Sequence, residues 1–152
     1  MDPTNSPART ARRLITRAGD LKHRRMHELL DELGLHSGQA FVLRALWKED
    51  GLTHSDLAER LHRSPSAITK TVQRLEKAGF AGRRPDGHDE RVSRVYLTEA
   101  GCEIRPAAEA VWNQLDQQLF AGFNPEELAS FANFLTRVCD NITNQARQRG
   151  EK

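Results

Sequence analysis

The sequence predicts a mainly helical fold that carries one small β-hairpin. Apolar residues recur every three to four positions along most of the chain. Short polar caps followed by proline or an acidic residue mark successive helix starts. The helical pattern gives way to strand-like runs at Phe80–Arg84 and Val92–Leu97, on either side of a polar turn.

Taken in order, Ser6-Pro7 is an N-cap followed by proline at the first helical position. Leu14, Ala18, Leu21, Met26, Leu29, Leu30 and Leu33 then mark one apolar face, and Gly34 stops the helix. Ser37 is expected to cap a second helix that carries Ala40, Phe41, Leu43, Leu46 and Trp47 and ends near Asp50-Gly51. Thr53-His54-Ser55-Asp56 has the form of a capping box, in which Thr and Asp satisfy orphan backbone N–H groups reciprocally. It opens a short helix with Leu57, Ala58 and Leu61 as its apolar face. His62 and Arg63 separate this helix from Ser64-Pro65, a second cap-plus-proline start. The helix that follows is expected to bury Ala67, Ile68, Val72 and Leu75 and to end at Gly79 in the left-handed conformation. Two helices joined by so short a turn cross steeply, which is the helix-turn-helix geometry.

In the hairpin, the turn Pro85 to Arg91 carries a Pro-Asp-Gly signal. Thr98 is expected to cap a long helix with Ile104, Ala108, Val111, Leu115 and Leu119 on one face, and Pro106 within it predicts a kink or a late start. Residues 122–124 break that helix. Asn124-Pro125-Glu126-Glu127 starts the last one, with Leu128, Phe131, Leu135, Val138 and Ile142 as an apolar stripe. The predicted architecture is therefore a winged helix-turn-helix domain over 37–98, with a helical dimerisation region made from 7–34 and 99–148.

The chain of 152 residues is 38% hydrophobic and 29% charged, which suits one globular domain with a docking element. Its net charge of +2 says little, but the distribution is uneven. Residues 60–94 hold nine basic against four acidic residues, whereas 99–152 hold five against eight. A basic middle beside an acidic tail points to a polyanion meeting the middle. Residues 1–13 lack the apolar stretch of a secretory signal, and a cytoplasmic location is expected.

The helix after Ser64 is the most informative element. Ala67, Ile68, Val72 and Leu75 face the core, so Ser66, Thr69, Lys70, Gln73, Arg74 and Lys77 face outward. An α-helix fits the major groove of B-DNA, where Gln and Arg or Lys pair with purine edges and Ser or Thr donates to bases or phosphates. The helix N-terminus adds a positive dipole end and free N–H groups for a phosphate. A lone helix of this kind is usually just a solvated face. Here the capped helix before it, the two-residue turn and the basic hairpin after it coincide, and context of that kind supports the DNA reading. The hairpin adds Arg83, Arg84, His88, Arg91 and Arg94, suited to phosphates and an adjacent minor groove. Its acids Asp86, Asp89 and Glu90 should repel phosphates. One resolution is that Asp89 pairs with a neighbouring arginine and holds the tip in shape.

These residues resemble the MarR (multiple antibiotic resistance regulator) family. Asp89 to Thr98 is similar to its wing signature, Asp-x-Arg followed by five residues and Leu-Thr. Leu52 to Leu61 and Ser64 to Phe80 are similar to its two helix-turn-helix segments, and Gly101 also fits. The resemblance implies a homodimer whose terminal helices interlock and which binds double-stranded DNA at a near-palindrome. It implies Arg91 as the minor-groove arginine, with Asp89 as wing support. Ser64, Ser66, Thr69, Lys70, Gln73, Arg74 and Arg84 are the other expected DNA contacts.

Members of such a family commonly respond to a small aromatic or phenolic molecule, an oxidant or a metal. A ligand pocket is the leading expectation here, lined by Arg17, Phe41, Arg44, Trp47 and Trp112, although each of these also fits plain core or dimer packing. Cys102 sits beside Glu99 and Glu103, neighbours that disfavour a thiolate, and Cys139 is expected to be a buried, inert thiol. Asp20, His23 and His27 share a helical face at metal-ligand spacing, but no fourth ligand is visible and no metal site is assigned.

Catalysis is not expected. The chain has no Gly-x-Gly-x-x-Gly or P-loop pattern, no His-Glu-x-x-His and no Cys-x-x-Cys, so no cofactor is expected either. The remaining alternatives are a winged-helix interaction adaptor that has lost DNA binding, or a redox- or metal-responsive regulator. Among DNA regulators, a repressor is expected, because so small a chain has no evident polymerase-contacting domain.

Overall fold

The computed structural model describes residues 6–150, with side chains through residue 145. The element order is α1 (Pro7–Asp31), α2 (Ser37–Lys48), β1 (Leu52–Thr53), α3 (His54–Leu61), α4 (Pro65–Lys77), β2 (Ala81–Pro85), β3 (Ser93–Leu97), α5 (Glu99–Glu103), α6 (Arg105–Leu119) and α7 (Pro125–Gly150). The chain divides into two compact units, one extending to Leu115 and the other beginning at Asp116.

The first unit holds the core. Leu30 and Leu35 at the α1–α2 joint, Leu43 and Leu46 of α2, Leu57 of α3, Ile68 and Leu75 of α4 and Val95 of β3 are fully buried. Helix α1 begins as expected, with the Ser6 hydroxyl accepting the Arg9 N–H at 3.3 Å. Helix α2 begins one residue earlier than expected. His36, not Ser37, is its N-cap, because the Gln39 side chain accepts the His36 N–H at 2.9 Å. Ser37 therefore lies inside the first turn, where it is buried.

The sheet has three antiparallel strands in the order β1–β3–β2, with Leu52 opposite Val95, Ala81 opposite Leu97 and Arg84 opposite Arg94. The hairpin was legible in the sequence and β1 was not. Two residues carry no alternation, and Thr53 doubles as the cap of α3.

The expected long helix after Thr98 is two helices. Thr98 caps α5 by accepting the Gly101 N–H at 3.1 Å, and its own hydroxyl donates to the Gly79 carbonyl at 2.5 Å. The break falls at Ile104, and Pro106 sits in the first turn of α6, where its missing N–H costs no helical bond. Gly101 is required by a close approach: a Cβ there would stand 2.0 Å from the Phe80 carbonyl oxygen. The Trp47 indole N–H donates to the Gly101 carbonyl at 2.8 Å, tying α2 to α5.

In the second unit, Gly122 turns the chain at φ 85°. Asn124 and Glu127 then cap α7 reciprocally, with both bonds at 2.9 Å. Phe120, Phe123 and Phe131 form an aromatic cluster with ring centroids 6.2–6.5 Å apart. Beyond it, Phe134, Val138 and Ile142 of α7 are exposed, as are Leu14, Ile15 and Leu21 of α1. Cys139 is exposed as well, not buried as expected, on a part of α7 whose apolar neighbours Val138 and Ile142 are exposed too. Among the described residues no helix is long and apolar enough to cross a membrane.

Candidate nucleic-acid interface

Helix α4 presents its polar side because Ile68, Val72 and Leu75 anchor the opposite one. The turn before it is closed by His62 in the left-handed conformation at φ 48°, with the Arg63 N–H bonded to the Ala58 carbonyl at 3.0 Å. A non-glycine residue rarely adopts that conformation, so the turn is held by its surroundings. The Thr53–Asp56 capping box fixes the start of α3, and those bonds, the Thr53 backbone N–H foremost, hold the Asp56 carboxyl below its usual range. At the other end, Gly79 at φ 79° stops α4 and the Phe80 N–H returns to the Leu75 carbonyl.

Along the outward face, Ser64 caps the helix, its hydroxyl accepting the Ala67 N–H at 3.3 Å and lying 3.2 Å from the Ser66 hydroxyl. Thr69 is half-buried and its hydroxyl donates to the Pro65 carbonyl at 3.0 Å, so its proton is already committed. Lys70, Gln73 and Arg74 are exposed. This leaves three long polar side chains in a row and a capped N-terminus, an arrangement complementary to base edges and phosphate.

The wing is built differently from the sequence expectation. Asp86, not Asp89, makes the ion pair that shapes the tip, and its partner is Arg94. Asp86 also accepts the backbone N–H groups of His88 at 2.8 Å and Asp89 at 3.2 Å. The Arg94 side chain, with these N–H groups, holds the Asp86 carboxyl down at about 2. Arg94 reaches on to the Gly51 carbonyl at 2.9 Å, and Asp86 raises the pKa of its guanidinium further. Among the described residues Asp89 makes no ion pair. Its carboxylate accepts the Arg91 backbone N–H at 3.0 Å instead, which orients the residue that follows it by two.

The arginines of the hairpin thus divide by role. Arg94 is an internal strut, Arg83 pairs with Glu76 of α4 at 2.8 Å, and Arg84 stacks over the Tyr96 ring at 5.2 Å. Arg91 stands exposed at the tip. The strut also answers the repulsion expected from the turn acids, since the Asp86 charge is matched by Arg94. Near the wing base, burial first and the charge of Arg83 second lower the His54 pKa.

The residues expected to line a ligand pocket are partly assembled. Trp47 and Trp112 meet edge to face at 6.1 Å, and the Arg44 guanidinium lies 4.8 Å from the Trp112 ring centre. With Lys48, Arg105 and Glu109 they border a hollow of about 260 Å³. The Trp112 indole N–H is buried with no partner among the described residues. Phe41 lines a neighbouring hollow with Arg44 and Leu61. Arg17 does not join them. It lies on α1 in a shallow hollow among Arg13, Asp20 and Arg24, because its helical face points elsewhere.

A capped helix-turn-helix flanked by an arginine-bearing β-ribbon defines a winged helix-turn-helix regulator that binds DNA. Residues 35–93 match the model of the MarR family. The chain is 32% identical over 133 residues to the transcriptional regulator AdcR of Streptococcus pneumoniae, covering 80% of this chain and 88% of that protein. A MarR mutant from E. coli, solved in complex with operator DNA, is 27% identical, covers 91% of this chain and 99% of its own, and superposes with a TM-score of 0.79. The fold is shared with Bordetella bronchiseptica BpsR, whose DNA binding is regulated by 6-hydroxynicotinic acid, at 20% identity, 92% and 97% coverage and a TM-score of 0.78. The chain belongs to the MarR family. It is accordingly a DNA-binding transcriptional regulator and not an enzyme, and the adaptor alternative falls away.

Proposed function

We propose that the protein is a ligand-responsive repressor that binds a near-palindromic operator as a homodimer in the cytoplasm. The observation that carries this reading is the exposed row Lys70, Gln73 and Arg74 on α4, set beside a wing whose tip arginine, Arg91, is exposed while Arg94 is tied to Asp86. Helix α4 enters the major groove, led by its cap Ser64 and the first-turn Ser66, with Thr69 and Arg84 at its margins. Arg91 enters the minor groove, where the negative potential is strongest. Asp89 supports it by fixing its backbone N–H.

Residues 37–98 are the DNA-binding region in this reading, and 7–34 with 99–148 are the dimerisation region. The apolar side chains of α1 and α7 exposed on the single chain support a second copy. The hollow at Arg44, Trp47 and Trp112 suits a small aromatic or phenolic acid, with Arg44, Lys48 and Arg105 as cations for its carboxylate.

Selection from a random duplex library, combined with sedimentation, tests the reading. A dimer recovering a palindrome with half-sites about 34 Å apart is expected. Binding that is sequence-blind and steeply salt-dependent at every protein concentration would overturn it in favour of an architectural role. For the effector, a thermal-shift panel of aromatic carboxylates should raise the melting temperature and lower DNA affinity. A panel that changes neither removes the pocket.

A further inference from the structure

We propose that His27, Asp31 and His36 form a site for a divalent transition metal, zinc by preference, that fastens the end of α1 to the N-cap of α2. The His27 Nδ1 lies 3.5 Å from the Asp31 Oδ1, and the His36 Nδ1 lies 3.7 Å from the same oxygen. One donor atom from each residue lies within 4.8 Å of the other two. Two ligands of a tetrahedral zinc, each about 2.0–2.1 Å from the ion, stand roughly 3.3–3.4 Å apart. The donors therefore need to close by only small rotations of exposed side chains.

The backbone that brings them together is fixed without a metal. His27 and Asp31 are four residues apart on the last turns of α1, so they share a face. The chain then reverses through Gly34 at φ 69°, and the Leu35 N–H bonds the Leu30 carbonyl at 3.0 Å. Leu30 and Leu35 are both fully buried and pin the joint. The early start of α2 makes His36 its cap, in an extended conformation at φ −84° and ψ 152°, and returns its ring toward α1. Its centroid lies 5.9 Å from that of His27.

The chemistry of the set favours a metal over a surface ion pair. The ionic partners of the Asp31 carboxylate are the two imidazoles, and no lysine or arginine pairs with it among the described residues. Two imidazoles and one carboxylate suit zinc, nickel, cobalt or copper in preference to magnesium or calcium. The three side chains are about half exposed, which leaves room for water to complete the coordination. Asp20 and His23, paired with His27 by sequence spacing, do not converge with it into such a set. His23 only meets His27 edge to face at 5.9 Å. The site reaches α4 indirectly: Gly38, two residues after His36, packs on Thr71, where a Cβ would lie 3.6 Å from the Thr71 hydroxyl. Metal binding would stiffen the joint that carries the recognition helix.

The test uses the full, metal-stripped chain without DNA, so its outcome is separate from that of the operator experiment. Zinc is titrated by calorimetry and cobalt by its visible absorption. One equivalent per chain is expected, with a raised melting temperature and a tetrahedral cobalt spectrum. Asp31→Asn and His36→Gln should each weaken zinc at least about tenfold, since loss even of a residue that only supports a ligand costs that much. His88→Gln, on the wing, should leave the affinity unchanged. Equal affinity in wild type and in a His27→Gln/His36→Gln double variant overturns the site, and so does a loss caused equally by His88→Gln. Should those variants fail to fold, cobalt-induced broadening of wild-type amide signals decides the matter. Broadening centred on residues 27–36 upholds the site, and broadening centred elsewhere overturns it.

Discussion

Asp86 and Arg94 form an ion pair at the turn end of the β-hairpin, and Arg94 carries the connection on to the Gly51 carbonyl. The pair joins the first residue after β2 to the second residue of β3 and to the loop ahead of β1. It therefore fixes both the shape of the wing tip and its attachment to the helical core.

This pair has a pH signature. The Asp86 carboxyl titrates at about 2 in the folded chain, below the ~3.9 of an unperturbed aspartate. Because the folded value is the lower one, the pair contributes stability that is complete above the ordinary value and is lost as pH falls through about 2. A carbon-detected NMR titration should place the Asp86 midpoint near the low value, and Arg94→Gln should return it toward the ordinary range. A wild-type midpoint that is already ordinary would mean that the pair does not form in solution.

The division of labour among the wing arginines can be read in DNA binding. Arg91→Gln should leave the melting temperature unchanged and reduce the salt slope of binding by about one, as loss of one phosphate-type contact does. Arg94→Gln should weaken binding too, but with a lowered melting temperature, because it removes a strut. Gln73→Ala should cost about 1–3 kcal/mol on the preferred operator and relax one base position, if it reads a base edge as its place on α4 indicates. Uniform loss across all sequences would assign Gln73 to phosphate instead. Binding curves at several salt concentrations, together with thermal melts, separate these outcomes.

Gly101 offers a test of packing away from DNA. A methyl group there would stand 2.0 Å from the Phe80 carbonyl oxygen, so α5 must shift off the end of the sheet. Overpacking of this kind typically costs 1–3 kcal/mol, or about 2–4 °C of melting temperature per kcal/mol in a chain of this size. The shift would also strain the bond from Trp47 to the Gly101 carbonyl. Gly101→Ala should therefore melt several degrees lower and change Trp fluorescence. An unchanged melt would show that the contact relaxes freely.

Much of this was legible in the sequence, and the failures share a cause. The caps at Ser6, Thr53 and Ser64 and the stops at Gly34 and Gly79 could be read because each rests on chemistry local to a few residues. Strand β1 could not, since a pair of residues becomes a strand only by lying beside Val95, far along the chain. Asp89 was favoured over Asp86 for the wing pair because sequence gives proximity but not direction, and the hairpin aims Asp86 inward at Arg94. Ser37 is the cap the sequence favours for α2, because the bond from the His36 N–H to Gln39, which makes His36 the cap, has no more sequence signal than a serine one position later.

The last prediction concerns the second copy. On the single chain, Phe134 is 60% and Ile142 67% exposed on α7, well beyond what isolated surface residues need. On α1, Leu14, Ile15 and Leu21 are also left uncovered. If these faces are buried between protomers, placing a charge within them leaves it desolvated and unpaired, which costs several kcal/mol per buried ion. Phe134→Glu with Ile142→Glu should shift sedimentation from dimer to monomer while far-ultraviolet circular dichroism stays helical. Operator affinity should fall with it, since a monomer presents one recognition helix where a palindrome offers two half-sites. A variant that still sediments as a dimer would place the protomer contact outside this part of α7.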